Sequence, residues 1–208
     1  MNTRHLDIGC GGKARNPYKA DKLYGVDIME SVENPCVDEY ASANLAVENI
    51  PFEDDFFDSV SAYDFLEHVP RSLYLPEQGK MRLPFVELMN EIWRVLKNNG
   101  LFYASTPCYP YQEAFVDPTH VNYITEKSHI YFTRPDLMGA AYGFTGCFEA
   151  IRVKRIKPRY EYEPNVMTLK QNIKKIEDIL KNRNTHLLWE FRAIKQREGA
   201  TPGAWDPT

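Results

Sequence analysis

The sequence predicts an α/β fold with a mostly parallel, doubly wound sheet. Two short apolar runs, residues 4–8 and 23–28, each stop at a glycine-rich or acidic turn. A long amphipathic stretch, residues 84–98, lies between two further apolar runs at 58–63 and 101–105. Strand, helix and strand in alternation argue for parallel pairing.

The first strand, residues 4–8, is halted by Gly9, Gly11 and Gly12. Residues 13–22 contain Asn16-Pro17 and read as a poor short helix or a loop. The second strand follows at 23–28. Residues 46–51 lead into an acidic and aromatic stretch from Phe52, and then a strand at 58–63. A helical segment begins at 65–69 and is broken by Pro70. Residues 84–98 make the best helix: Phe85, Leu88, Met89, Ile92, Trp93 and Leu96 recur at helical spacing, and Asn98-Asn99-Gly100 supply the stop. The strand at 101–105 ends at Thr106-Pro107. Residues 107–133 read as a loop rich in Tyr, His, Asp and Pro, placed after the C-terminal end of a parallel strand, where such sheets hold substrates. A helix with Pro135 at its start is expected over 134–142. A strand over 148–156, an amphipathic helix over 168–181 and a final strand over 186–195 complete the chain. Residues 1–198 read as one domain, with an inserted helical segment at 165–183 and a disordered tail at 199–208.

Composition narrows the function classes. The chain has 208 residues and a formal net charge of −4, which speaks against a nucleic acid partner. The four cysteines, Cys10, Cys36, Cys108 and Cys147, are scattered without a Cys-x-x-Cys pair, so a zinc knuckle is not expected and free thiols are. With no long apolar run and no room for a leader before the first strand, no membrane partner is expected and the location reads as cytoplasmic.

The richest stretch is Leu6-Asp7-Ile8-Gly9-Cys10-Gly11-Gly12-Lys13, with Asp27 twenty residues after Asp7. A glycine turn lets backbone N–H groups approach a ligand, and an acid at the tip of the next strand can accept a ribose diol. This is the layout of a nucleotide-type cofactor site. A dinucleotide site would have glycine three positions beyond Gly11; position 14 is Ala, which tilts the reading away from NAD.

Four motifs in order then resemble the class I S-adenosylmethionine-dependent methyltransferases of the broad type 11 group. They are Leu6-Asp-Ile-Gly-Cys-Gly11; Tyr24-Gly-Val-Asp27-Ile28; Ile50 to Val60 with Phe65-Leu-Glu-His-Val69; and Glu91 to Tyr103. The resemblance covers about residues 4–156. It implies a Rossmann-like sheet with a final antiparallel strand, the family's N-terminal helices being missing here, and S-adenosyl-L-methionine as cofactor. It also implies roles. Gly9, Cys10 and Gly11 would pass beside the methionine portion, with Asp7 supporting the turn or the amino group. Asp27 and Ile28 would hold the ribose, Asn44 and Leu45 would face adenine, and Tyr63 would lie near the sulfonium. Lys13 stands where the family often has glycine, and Asn44 replaces an acid.

If the acceptor is a hydroxyl, a base helps methyl transfer. The candidates are Asp117 and His120 in Asp117-Pro-Thr-His120, where Asp117 could orient His120 toward the acceptor; Asp117 capping a proline turn is the plainer alternative. No metal is assigned, because Asp117, His120 and His129 have no fixed ligand spacing. His68 reads as structural or cofactor-side. The expected function is methyl transfer to a small-molecule or saccharide acceptor, at oxygen; the alternative is a degenerate methyltransferase-fold binding protein. Helix 168–181 could cover the acceptor site, form a homodimer contact or simply pack.

Overall fold

The computed structural model describes residues 2–31, 37–77, 79–161, 168–181 and 183–195. The tail at 199–208 and Cys36 lie outside the described residues. In chain order the elements are β1 (Arg4–Ile8), β2 (Lys22–Asp27), β3 (Glu39–Ser42), β4 (Phe57–Tyr63), β5 (Leu73–Leu75), β6 (Lys80–Arg82), α1 (Pro84–Val95), β7 (Leu96–Pro107), β8 (Phe148–Ile156), α2 (Leu169–Leu180) and β9 (His186–Ala193). Seven of the strands form one sheet in the order β3-β2-β1-β4-β7-β9-β8, and β5 pairs with β6 in a separate ribbon. The pairs from β3 to β7 are parallel, and β9 runs antiparallel to both neighbours. This is the Rossmann-like α/β sheet, with few helices. The strand order reverses at β1, which has β2 on one side and β4 on the other. A crevice at the C-terminal ends of β1 and β4 is where such sheets bind ligands.

The two faces of the sheet differ sharply. Leu6 and Ile8, Val60 and Ala62, Phe102 and Ala104, and Leu187, Trp189 and Phe191 lie on one face and pack under α1 through Phe85, Leu88, Met89, Ile92 and Val95. Each fully buried Leu, Ile or Phe on that face contributes roughly 1.5–3 kcal/mol. The alternate residues make a polar layer: His5 Nδ1 meets Ser59 Oγ at 2.7 Å, and His5 Nε2 meets Ser61 Oγ at 2.8 Å. Over this layer lies the 13–21 loop, stapled by Asn16 to Ala20 and by Tyr18, whose hydroxyl donates to Glu190 at 2.8 Å. A loop, not a helix, therefore joins β1 to β2.

Burial pushes the His5 imidazole down to about 3 from its usual value near 6.5. The unfolded chain protonates this histidine below pH 6.5 while the native state keeps it neutral, so its contribution is complete above pH 6.5 and is lost as pH falls toward 3. Relative to His5→Gln, which keeps a donor and an acceptor there, the native protein should lose about 2 kcal/mol between pH 6.5 and 5. Urea midpoints at pH 7.5 and 5 check this; a constant difference between the two proteins excludes it.

Some boundaries move from expectation. The helix expected over 84–98 stops at Val95, because Leu96 turns extended and pairs with Phe57 at the foot of β7. The Asn98-Asn99-Gly100 signal survives as a turn inside that strand, with Asn99 at φ +65°. The helix expected over 134–142 is a short 3-10 turn at Met138–Tyr142, entered through Leu137 at φ +47°, which no α-helix can carry. In α2 the polar side faces the body: buried Asp178 bonds Lys157 at 3.1 Å and Arg159 at 2.7 Å, while Leu169, Ile173 and Ile176 point outward. Among the described residues no helix is long and apolar enough to cross a membrane.

Candidate active site

Three neighbouring turns at the C-terminal ends of β1, β2 and β4 build the first half of the site. Gly9 sits at φ +65°, and its N–H donates to the Val26 carbonyl at 2.8 Å. A Cβ there would stand 2.4 Å from the Phe65 ring, so glycine is required twice over, for conformation and for space. Gly11, at φ +49°, has nothing within 4 Å of where a Cβ would be. Its N–H donates to Asp27 Oδ2 at 2.9 Å. The turn after β1 and the tip of β2 are thus locked together by one charge-assisted bond, with open space beside it.

Asp7 supports this turn from below. It is buried, and its two oxygens accept from the Ser61 hydroxyl at 2.5 Å and the Arg15 N–H at 2.8 Å. Burial raises its carboxyl to about 7. Both oxygens are thus engaged in holding the turn. Cys10 is buried, and burial together with Asp7 and Asp27 pushes its thiol up to about 12, so it is no nucleophile. Ile28 is 64% exposed directly after Asp27. Among the described residues Asp27 Oδ1 accepts one long 3.3 Å bond, from the Met29 N–H.

Two expected cofactor contacts are otherwise engaged. Asn44 Oδ1 accepts from the Ala46 N–H at 3.2 Å and its own N–H donates to Glu48 at 2.6 Å, so its side chain caps the turn that follows β3. Leu45 is buried in the core. Tyr63 is buried on the polar face beside Tyr103, and the Arg15 guanidinium lies over one face of its ring at 4.6 Å. Alternation along β4 puts Tyr63 on the side of Ser59 and Ser61, away from the apolar core.

The second half of the site forms where the short turn after β4 meets the long loop after β7. Leu66–His68 is a 3-10 turn, and its Glu67 is buried. The Val121 and Asn122 N–H groups both donate to the Glu67 carbonyl at 2.9 Å, clamping the loop onto the turn. Glu67 Oε2 accepts from the Thr106 hydroxyl at 2.9 Å. Glu67 Oε1 is buried with no hydrogen-bond partner among the described residues. Burial raises this carboxyl to about 8.

Beside it, the His68 and His120 rings stand edge to face with centroids 4.9 Å apart. Thr119 Oγ1 lies 2.6 Å from Asp117 Oδ1 and 3.0 Å from His68 Nδ1. The same Asp117 oxygen accepts the Thr119 N–H at 2.8 Å, so Asp117 caps this turn. Its other oxygen is 3.9 Å from His120 Nε2, beyond hydrogen-bond reach. His120 is oriented instead through Nδ1, 3.3 Å from the Ala114 carbonyl. His129 bonds the Glu126 carbonyl at 2.6 Å and is not part of this group. Glu67 was missed as a site residue in the sequence, although a glutamate inside Phe65-Leu-Glu-His-Val69 is the one charge in an apolar run. Nearby, Asn122, Arg71 and Tyr131 help line a cavity of about 450 Å³ against Phe85 of α1 and Phe132.

A family model described as a methyltransferase domain matches residues 6–104. No curated protein matches the sequence. Among solved structures, the chain is similar to an S-adenosylmethionine-dependent methyltransferase from Mesorhizobium loti, with 16% identity, 92% of this chain and 91% of that one covered, and a TM-score of 0.52. It is similar to a chain of the Haloferax volcanii complex of the Trm112 methyltransferase activator, with 12% identity, 95% and 85% covered, and a TM-score of 0.57. It is also similar to the [4+2]-cyclase SpnF, with 14% identity, 94% and 76% covered, and a TM-score of 0.54. At such identities the likeness speaks for the fold. Residues 6–104 thus resemble a methyltransferase domain, and the chain has the fold of the class I S-adenosylmethionine-dependent methyltransferases. The open flank of Gly11 and the half-exposed Asp27 leave room for a ligand at the strand-order reversal, and their donor and acceptor types fit that cofactor.

Proposed function

We propose that this protein is an enzyme that transfers the methyl group of S-adenosyl-L-methionine to a hydroxyl of a small-molecule or saccharide acceptor. The observation that carries the reading is the Asp27–Gly11 lock beside open space at the strand-order reversal. When bound, the cofactor supplies a methyl carbon already activated by its sulfonium. The chain's part is to hold the two reactants in line and to free the acceptor oxygen of its proton.

For that second task we infer His120 as the residue that activates the acceptor oxygen, with Asp117 and Thr119 shaping its turn. Ala114 fixes Nδ1 as the protonated nitrogen, because a carbonyl can only accept. In the neutral ring Nε2 is then the lone-pair nitrogen. The neighbouring cavity of about 450 Å³ falls within the range of small-molecule sites, which supports an acceptor of that size. The free Cys10, Cys108 and Cys147 speak for a reducing cytoplasm.

The test is release of S-adenosylhomocysteine from S-adenosylmethionine with panels of free saccharides and small hydroxylated aromatics. Acceptor-dependent release is expected. A second reading, a methyltransferase-fold protein without methyl transfer, is favoured by Asn44, whose side chain is spent on its own turn. Cofactor binding without release on any acceptor would decide for it.

A further inference from the structure

We propose that Glu67, His68 and His120 hold a divalent metal ion of the zinc class, with one coordination position left open for the acceptor. One carboxylate oxygen of Glu67 and one ring nitrogen of each histidine lie within 4.8 Å of one another. The second observation is the hydrogen bonding that their neighbours impose. Ala114 accepts from His120 Nδ1–H. Thr119 has one hydroxyl proton, and the short 2.6 Å contact to Asp117 takes it, so the same oxygen accepts from His68 Nδ1–H. Each ring thus engages its Nδ1 with an oxygen, which leaves Nε2 as the nitrogen available to an ion. An imidazole whose other nitrogen donates to a carbonyl or hydroxyl oxygen is the usual arrangement of a metal-ligating histidine.

The third ligand has an independent signature. Glu67 is 1% exposed, its Oε2 is satisfied by Thr106, and its Oε1 is buried without a partner among the described residues. One ring nitrogen of each histidine and a carboxylate oxygen of buried Glu67 thus face one another closely enough to share an ion. A cation satisfies all three at once, and Asp117, 3.9 Å from His120 Nε2, adds further negative charge at the rim. Two imidazoles with one carboxylate suit zinc, iron or manganese better than magnesium or calcium, which prefer all-oxygen sites. Three protein ligands leave the open position characteristic of catalytic sites.

The chemistry of this step rests on the function proposed above; the metal site does not. The acceptor hydroxyl oxygen would occupy the open position, where the ion lowers its pKa and its proton leaves to solvent. The oxygen lone pair then forms the C–O bond to the methyl carbon, and the C–S bond breaks with its electron pair passing to sulfur. His120 activates the oxygen through the ion it holds.

The protein would be stripped with a chelator, titrated with Zn²⁺ by calorimetry, and loaded with Co²⁺ for its visible spectrum. One equivalent of Zn²⁺ and Co²⁺ bands characteristic of mixed nitrogen and oxygen ligation are expected. His68→Ala, His120→Ala and the isosteric Glu67→Gln should each weaken Zn²⁺ at least ~100-fold, the high end for lost ligand support, while S-adenosylhomocysteine binding stays unchanged as a sign of intact folding. No stoichiometric ion, or an ion whose affinity survives both histidine variants, overturns the site. Methyl transfer that persists undiminished in the stripped protein overturns its catalytic part and leaves the methyltransferase reading standing. Zn²⁺ binding without any methyl transfer does the reverse.

Discussion

Asp27→Ala should cost the protein at least ~100-fold in affinity for S-adenosylhomocysteine, about 3 kcal/mol, measured by calorimetry. A charged acceptor that takes two ribose hydroxyls contributes roughly 1.5–3 kcal/mol per bond. The same carboxylate also fixes the glycine turn by accepting the Gly11 N–H at 2.9 Å, so its removal loosens the cradle as well as the diol contact. Asp27→Asn keeps an acceptor oxygen for Gly11 and loses only the charge, and should fall between the two. Unchanged affinity in Asp27→Ala would remove the cofactor assignment at its root.

His120→Ala should leave that affinity alone and reduce turnover by about 10²–10⁴, the range for a lost acid–base or activating group. The two halves of the site make this separation possible. Asp27, Gly9 and Gly11 belong to the turns after β1 and β2, whereas His120 is held on the far loop by Ala114 and by the clamp of Val121 and Asn122 on Glu67. His120→Ala with wild-type turnover would take it out of the reaction. A parallel fall in cofactor affinity would make it a structural residue of the 66–69 turn.

The legible part of this protein was its local chemistry. Residues 4–8, the glycine turn and Asp27 could be placed because a strand that stops at a turn carries its own period and its own terminator. The 148–156 strand came through with its boundaries unchanged for the same reason. Where tertiary contacts overrode local signals, the reading slipped. Leu96 looked like the last turn of a helix and is a sheet residue, because Phe57 offers it a strand to pair with. In α2 the stripe of Leu169, Ile173 and Ile176 fitted a cover, a dimer contact or plain packing alike; buried Asp178 and its cationic partners set which side faces the body.

The alternating α/β plan and the positions of Gly9, Gly11 and Asp27 were legible in one dimension. Those are properties of short segments, set by spacing and by residue type. Only the tertiary structure decided what stands beside Glu67. Its partners Thr106, Val121 and Asn122 are 39 to 55 positions away, and His120 approaches His68 from a loop more than fifty positions on. No pattern in one dimension encodes that convergence, because it arises where two loops of unrelated sequence are clamped together over the ends of β4 and β7.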